Sequence, residues 1–192
     1  MSFPISDPTQ DNFAAAKAAL ANHGLIAYPT EAVFGLGCAP YDEIAVRKLL
    51  ALKQRPETKG LILIAADYSQ LLDYVDDSKI PQDKRFQVFS HWPGPVTLVL
   101  PAKANVPGFL RGEFDTIAVR VTAFEPVRAL CRALGTPLVS TSANYAGKPP
   151  LRSAEAVAAE LGHELDWIMA GETGGRTEPS QIINPLTGAT LR

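Results

Sequence analysis

The 192-residue sequence has two cysteines, Cys38 and Cys131, far apart and in no CxxC pairing. That excludes a disulfide framework of the secreted kind and a cysteine zinc cage, and it points to reduced thiols serving as small core residues. No run of about 18 consecutive apolar residues occurs, so no helix-length membrane span is written into the chain. The start, MSFPISDPTQDNF, has no basic segment followed by an apolar one. A soluble, untargeted, cytoplasmic protein is the expectation. The formal net charge of −2, from 18 Lys and Arg against 20 Asp and Glu, argues against a broadly basic nucleic-acid-binding surface, so any basic site must be local. Two tryptophans, Trp92 and Trp167, are too few for a stacking platform on single-stranded RNA and suit core packing instead.

Chemical motifs are scarce as well. There is no GxxxxGK[ST] phosphate loop, no GxSxG nucleophile elbow and no complete GxGxxG, Gly35 and Gly37 alone being a weak signal. His23, His91 and His163 are scattered without metal-ligand spacing. Covalent catalysis and a protein-bound metal therefore both rank low.

What is present is an alternation of short apolar runs with amphipathic stretches, as in mixed α/β domains, and 192 residues suit one domain spanning 1–192. A helix is expected over 11–22, stopped by His23-Gly24. Strands are expected over 25–30 and 33–40, followed by a helix over 43–52 capped by Asp42. LILIA, 61–65, is apolar throughout, as in a strand covered on both faces. Helical segments near 69–75 and 82–91 precede the break Pro93-Gly94-Pro95. VTLVLPA, TIAVRVT and PLVSTSA read as strands, with EPVRALCRAL a helix closed by Gly135 between the last two. Ser153 opens a further helix, DWIMAG is a strand, and QIIN-PLTG-ATLR forms a hairpin turning at Pro185 and Gly188.

Three features carry chemistry. LALKQRPETKG puts Lys53, Arg55 and Lys59 within seven positions, where a helix hands over to a buried strand. Cations just past a helix C-terminus gain about 0.3 to 1 kcal/mol from the dipole, and Pro56 prevents continuation. The same place is where open α/β sheets tend to bind ligands, and if 53–55 are extended, Lys53 and Arg55 project to one side. An anion site and a dipole effect stand level on this stretch alone. In PLVSTSANYAGKPP an apolar strand runs into Ser140, Thr141, Ser142 and Asn144, short donors and acceptors suited to phosphate or carboxylate oxygens, or else an ordinary polar turn. Arg120 lies inside the apolar IAVRVT, where a guanidinium is costly unless paired; it faces either a carboxylate or solvent.

Taken together, YPTEAVFGLG (28–37), KQRP (53–56), HWPGPVTLVLPA (91–102), AVRVT (118–122), STSAN (140–144) and GETGGRTEPSQI (171–182) closely resemble the YrdC family, and in particular its bacterial threonylcarbamoyl-AMP synthases. The match runs in unbroken order over nearly the whole chain. The resemblance implies a twisted, mostly open mixed β-sheet flanked by helices, with a basic concave cavity. It implies a nucleotidyltransferase that joins L-threonine, bicarbonate or carbon dioxide, and ATP, releasing pyrophosphate. The product is handed to partner proteins that modify the adenosine beside the anticodon of certain tRNAs. Mg2+ is implied through the ATP phosphates it bridges, since no carboxylate cage is visible. Because the chain stops at Arg192, only the catalytic domain is expected.

Carried over by position, the resemblance assigns Lys53, Arg55 and Lys59 to the triphosphate, with Asn144 and the Thr116 hydroxyl assisting. Arg120 is assigned to the carboxylate of threonine, and Thr30, Ser142 and Ser180 to orienting the amino acid. Arg152 and Arg192 are further nucleotide contacts. The sequence reads PTEA where PTET is frequent, and Ile64 stands where longer relatives often have histidine, so the sensing of threonine's side chain is where this chain departs. Two alternatives belong to other classes: an RNA-binding module without catalysis, since family members have been described as RNA binders, and a carbamoyl-transfer domain. The second occurs in multidomain proteins with acylphosphatase-like and zinc-finger parts that this sequence does not contain.

Overall fold

The computed structural model describes residues 4–192. The described residues form a nine-stranded mixed sheet. Its strands are β1 (Ile26–Pro29), β2 (Phe34–Cys38), β3 (Ile62–Ala65), β4 (Val96–Pro101), β5 (Thr116–Val121), β6 (Leu138–Ser142), β7 (Trp167–Ile168), β8 (Gln181–Asn184) and β9 (Ala189–Thr190). Their order is β7-β1-β2-β6-β3-β5-β4-β8-β9, with β3 parallel to β5 and antiparallel to β6. The helices are α1 (Gln10–Ala21), α2 (Glu43–Leu52), α3 (Arg85–Phe89), α4 (Gly108–Arg111), α5 (Glu125–Leu134) and α6 (Ala154–Leu161). None of the described helices is long and apolar enough to cross a membrane.

Helix limits follow local chemistry. The Asp42 carboxylate accepts from the Ala45 amide at 3.1 Å and opens α2, while the Ser153 hydroxyl accepts from the Ala156 amide at 3.2 Å and opens α6. In α5 the buried Val127, Leu130, Cys131 and Leu134 recur at helical spacing, and Gly135, at φ 69°, ends it in the left-handed region. Where segments near 69–75 and 82–91 were expected to be helical, 3-10 turns cover Tyr68–Leu71 and Gln82–Lys84, and α3 is short. Local polar bonding bears on the first: the Gln70 side-chain oxygen accepts from the Ala66 amide at 2.9 Å and its NH2 donates to the Cys131 carbonyl at 2.9 Å, occupying backbone groups with a side chain from within the segment. The strand expected across DWIMAG is confined to two residues, and α4 was not anticipated.

The core divides between the two faces of the sheet. On one, α1 and α5 bury Phe13, Leu20, Val127, Leu130 and Cys131 against Ile26, Tyr28, Ile64 and Leu138. On the other, α2, α4 and α6 bury Val46, Leu49, Leu110, Val157 and Leu161 against Leu36, Leu63, Leu98 and Val119. Adjacent Leu63 and Ile64, each fully buried, thus belong to different layers, as the unbroken apolarity of LILIA required. Each such side chain contributes about 1.5 to 3 kcal/mol of burial. Cys38 and Cys131 are buried, free thiols, and burial pushes both up to about 12, as befits inert packing groups.

Candidate active site

Helices α1 and α5 cover only part of their face. Register places Gly35 opposite Ser142, Ile62 opposite both Ala118 and Ser140, and Val99 opposite Ala118, so these residues share the uncovered remainder. They form the floor of a cavity of about 880 Å³, whose lining carries eight Lys or Arg side chains against two acids, Glu31 and Glu178. Every candidate residue named from the sequence lines it except Asn144, which lies one contact behind.

Two glycines flagged as a weak phosphate signature have a different role. Tyr28 of β1 lies across β2, and its hydroxyl donates to the Ser140 hydroxyl at 2.9 Å. A Cβ on Gly37 would sit 2.7 Å from the Tyr28 hydroxyl and 2.5 Å from the Val139 carbonyl, and one on Gly35 would sit 2.9 Å from the Tyr28 ring. The GLG pattern is a slot for a tyrosine.

The cations are positioned by the end of α2. Lys53 is its C-cap in the right-handed region (φ −85°, ψ −4°), Gln54 turns through φ 46°, and Pro56 stops the helix. Residues 53–55 are therefore not extended, contrary to the condition under which both cations would share a side. A left-handed residue between them brings both onto the cavity instead. The Lys53 ammonium donates to the carbonyls of Ser142 and Asn144, each at 3.0 Å, and to the Asn144 side-chain oxygen. The Ser142 hydroxyl donates to that same oxygen at 2.7 Å, and the Asn144 amide is held by the Lys148 carbonyl at 2.6 Å. KxR and SxN, 89 and 91 residues apart at these contacts, thus join in one network. Arg55 folds back so that Nε and one Nη donate to the Gly60 carbonyl at 3.0 and 2.9 Å. Lys59 ends the 3-10 turn Glu57–Lys59 and Thr116 begins β5.

Burial, and then the neighbouring Arg55, lowers the Lys53 ammonium to about 8. Burial lowers Arg55, while Arg192 is lowered by burial and then by Arg120 and Arg55. Three cations whose charge is disfavoured by their surroundings face one cavity, which is the electrostatic condition for taking up an anion.

Arg120 does not face solvent. It is 8% exposed and donates to Glu31, which also accepts from the Thr122 hydroxyl at 3.4 Å. The carboxylate that the apolar IAVRVT demanded is therefore internal to the chain. Thr30 donates its hydroxyl to the Val33 carbonyl at 2.6 Å, closing the turn that presents Glu31. Ser180 sits between the Thr97 hydroxyl at 3.1 Å and the Arg192 guanidinium at 3.2 Å, and Arg152 donates to the Ala32 carbonyl at 3.1 Å. Ile64 and Ala32, the two departures from the family pattern, both line the cavity. Sequence reasoning missed Glu31, Arg111, Arg176, Glu178 and Asn184. Glu31 had a signal: a buried arginine needs an acid, and PTEA offers one.

A family model covering Sua5, YciO and YrdC, described as telomere recombination, matches residues 18–192. The chain belongs to the Sua5/YciO/YrdC family. Within that family, a threonylcarbamoyl-AMP synthase of Idiomarina loihiensis is 63% identical over 95% of this chain and 97% of its own. A threonylcarbamoyl-AMP synthase of Escherichia coli K12 is 54% identical over 95% of this chain and 96% of its own. P. abyssi Sua5 complexed with L-threonine aligns with a TM-score of 0.82 at 34% identity over 92% of this chain. This chain spans about half of that longer protein, 51%. E. coli YciO aligns with a TM-score of 0.79 at 26% identity, covering 94% of this chain and 86% of its own.

Proposed function

We propose that this chain, acting as a single catalytic domain, is a threonylcarbamoyl-AMP synthase. The observation that carries the reading is the Lys53–Ser142–Asn144 network lying on the same cavity as Arg55, Lys59 and Arg120.

Threonine's amine takes up carbon dioxide to give a carbamate beside the existing carboxylate. A carbamate oxygen then attacks the α-phosphorus of ATP, the bond to the bridging oxygen breaks, and pyrophosphate leaves with that electron pair. No nucleophilic side chain is required. The obstacle is electrostatic, because like unit charges about 4 Å apart repel by roughly 4 kcal/mol at an effective dielectric of 20. Lys53, Arg55 and Lys59 hold the phosphates, assisted by Asn144 and Thr116, and offset charge on the equatorial and leaving oxygens. Arg120 takes the amino-acid carboxylate in two-pronged fashion, and Thr30, Ser142 and Ser180 orient the rest of the molecule. Arg152 and Arg192 reach the nucleotide.

Mg2+ enters with ATP as part of the substrate. Among the described residues no group of three His, Cys, Asp or Glu could hold a metal, and the cavity acid Glu31 is already bonded to Arg120, so the phosphates are the ligands that fit. On this reading the protein works in the cytoplasm and passes its adenylate to proteins that modify tRNA.

Pyrophosphate release from purified protein, with ATP, threonine and bicarbonate each omitted in turn, tests the proposal. Release that needs all three is the expected result. Release without threonine, or steeply salt-dependent RNA binding with no release at all, would replace the synthase by a nucleotide hydrolase or an RNA-binding module.

A further inference from the structure

Glu31 carries an oddity. Its Oε2 accepts from Arg120 and Thr122, yet Oε1 is buried with no hydrogen-bond partner among the described residues. A buried carboxylate oxygen without a partner is a costly arrangement, and such a group in a native protein calls for a bound water or ion, a ligand or a catalytic task. The side chain lines the cavity beside Arg120 and is 16% exposed. Its position is fixed from both sides: the Thr30 hydroxyl closes the turn on Val33, and the Glu31 carbonyl accepts from the Arg176 amide at 2.9 Å.

A carboxylate next to a guanidinium is the complement of an α-amino acid, which presents a carboxylate next to an ammonium group. Resting on the synthase reading above, we propose that Glu31 receives the substrate's α-ammonium group and takes the proton whose loss lets that nitrogen attack carbon dioxide. The amino-acid carboxylate engages Arg120, and Glu31, turning about its soft terminal torsion, offers Oε1 to the nitrogen. One N–H bond breaks and the proton moves to Oε1. The freed lone pair forms the N–C bond to carbon dioxide as one C–O π pair moves onto oxygen, and the second nitrogen proton passes to solvent, leaving the carbamate. Glu31 returns its proton to solvent before the next turnover.

The competing view is that Glu31 serves only to hold Arg120. Glu31→Gln separates the two, because the amide oxygen still accepts from Arg120 but the side chain attracts no ammonium and takes no proton. In pyrophosphate release at saturating ATP and bicarbonate, the variant should run about 100-fold slower than the unsubstituted protein near pH 7. That ratio should shrink as pH rises and solution supplies the free amine. A purely structural role gives a ratio that does not change with pH. By calorimetry, the unsubstituted protein should favour threonine over 2,3-dihydroxybutanoate, which has a hydroxyl in place of the ammonium, by roughly 10- to 100-fold, and Glu31→Gln should lose that preference. Glu31→Asp, which keeps the charge, retains the unsubstituted pH profile even if slower, and it stands in should the Gln variant fail to fold. A Gln variant with unchanged profile and unchanged preference overturns the proposal. If the unsubstituted protein releases no pyrophosphate, the synthase reading falls, while the binding comparison still decides Glu31.

Discussion

Replacing Lys53 by methionine removes one charge and keeps an unbranched chain of similar length. In the folded protein that ammonium is bonded to two carbonyls and the Asn144 side chain, and its charge is disfavoured by burial and by Arg55. The two effects oppose one another in stability. Hydrogen bonds to a charged group contribute about 1.5 to 3 kcal/mol, and the cost of burying the charge offsets them, so a stability change of no more than about 1 kcal/mol in either direction is expected. For a chain of this size that moves Tm by no more than about 2 to 4 °C, leaving the protein folded at 25 °C. Catalysis should suffer more. A cation about 4 Å from a phosphate oxygen at an effective dielectric of 20 is worth roughly 4 kcal/mol, close to three decades in rate at 1.36 kcal/mol per decade. Pyrophosphate release should fall about 1000-fold in a variant whose melting curve remains cooperative. Release within tenfold of the unsubstituted rate would refute the assignment of Lys53 to the triphosphate, and an unfolded variant would make the residue structural.

Three further outcomes are expected. Arg120→Met should raise KM for threonine far more than for ATP and cost about 1 to 3 kcal/mol by urea denaturation, because the half-buried Glu31 is left with only the Thr122 hydroxyl; Arg120→Met with Glu31→Leu should recover much of that stability. Equal losses for both substrates would remove Arg120 from the amino-acid site. Since Lys53 is lowered to about 8 from an ordinary 10.5, its charged form burdens the fold below pH 8, and that burden is relieved as pH rises from 8 toward 10.5. ATP binding restores the charge, so calorimetry in buffers of different ionisation enthalpy should record proton uptake on nucleotide binding near pH 8 to 9; none would place Lys53 away from the phosphates. Gly37→Ala should cost about 1 to 3 kcal/mol or more through its 2.5 Å approach to the Val139 carbonyl, whereas Gly108→Ala, with nothing within 4 Å, should be near neutral.

What the sequence revealed was what local chemistry decides. Asp42 and Pro56 bound α2, and Gly135 ends α5, so those elements were legible from a few residues each. The cation group was legible because it follows a helix stop. Its geometry was not, since it depends on the left-handed turn at Gln54, an unusual conformation for that residue type. Gly35 and Gly37 could not be understood without knowing that Tyr28 crosses them from the neighbouring strand. The pairing of Arg120 with Glu31 spans 89 residues and two strands, and only the chemical need for an acid hinted at it. The 3-10 turn after β3 was hidden because the Gln70 side chain bonds the Ala66 amide and, across the fold, the Cys131 carbonyl, a tertiary contact that local sequence does not show.

The decisive measurement is a crystal structure of this protein grown with a non-hydrolysable ATP analogue, Mg2+ and threonine. The triphosphate should lie within hydrogen-bond distance of Lys53, Arg55 and Lys59, with the threonine carboxylate on Arg120. Those side chains turned into solvent, with nucleotide bound elsewhere, would contradict the claim that this cavity brings two mutually repelling anions together.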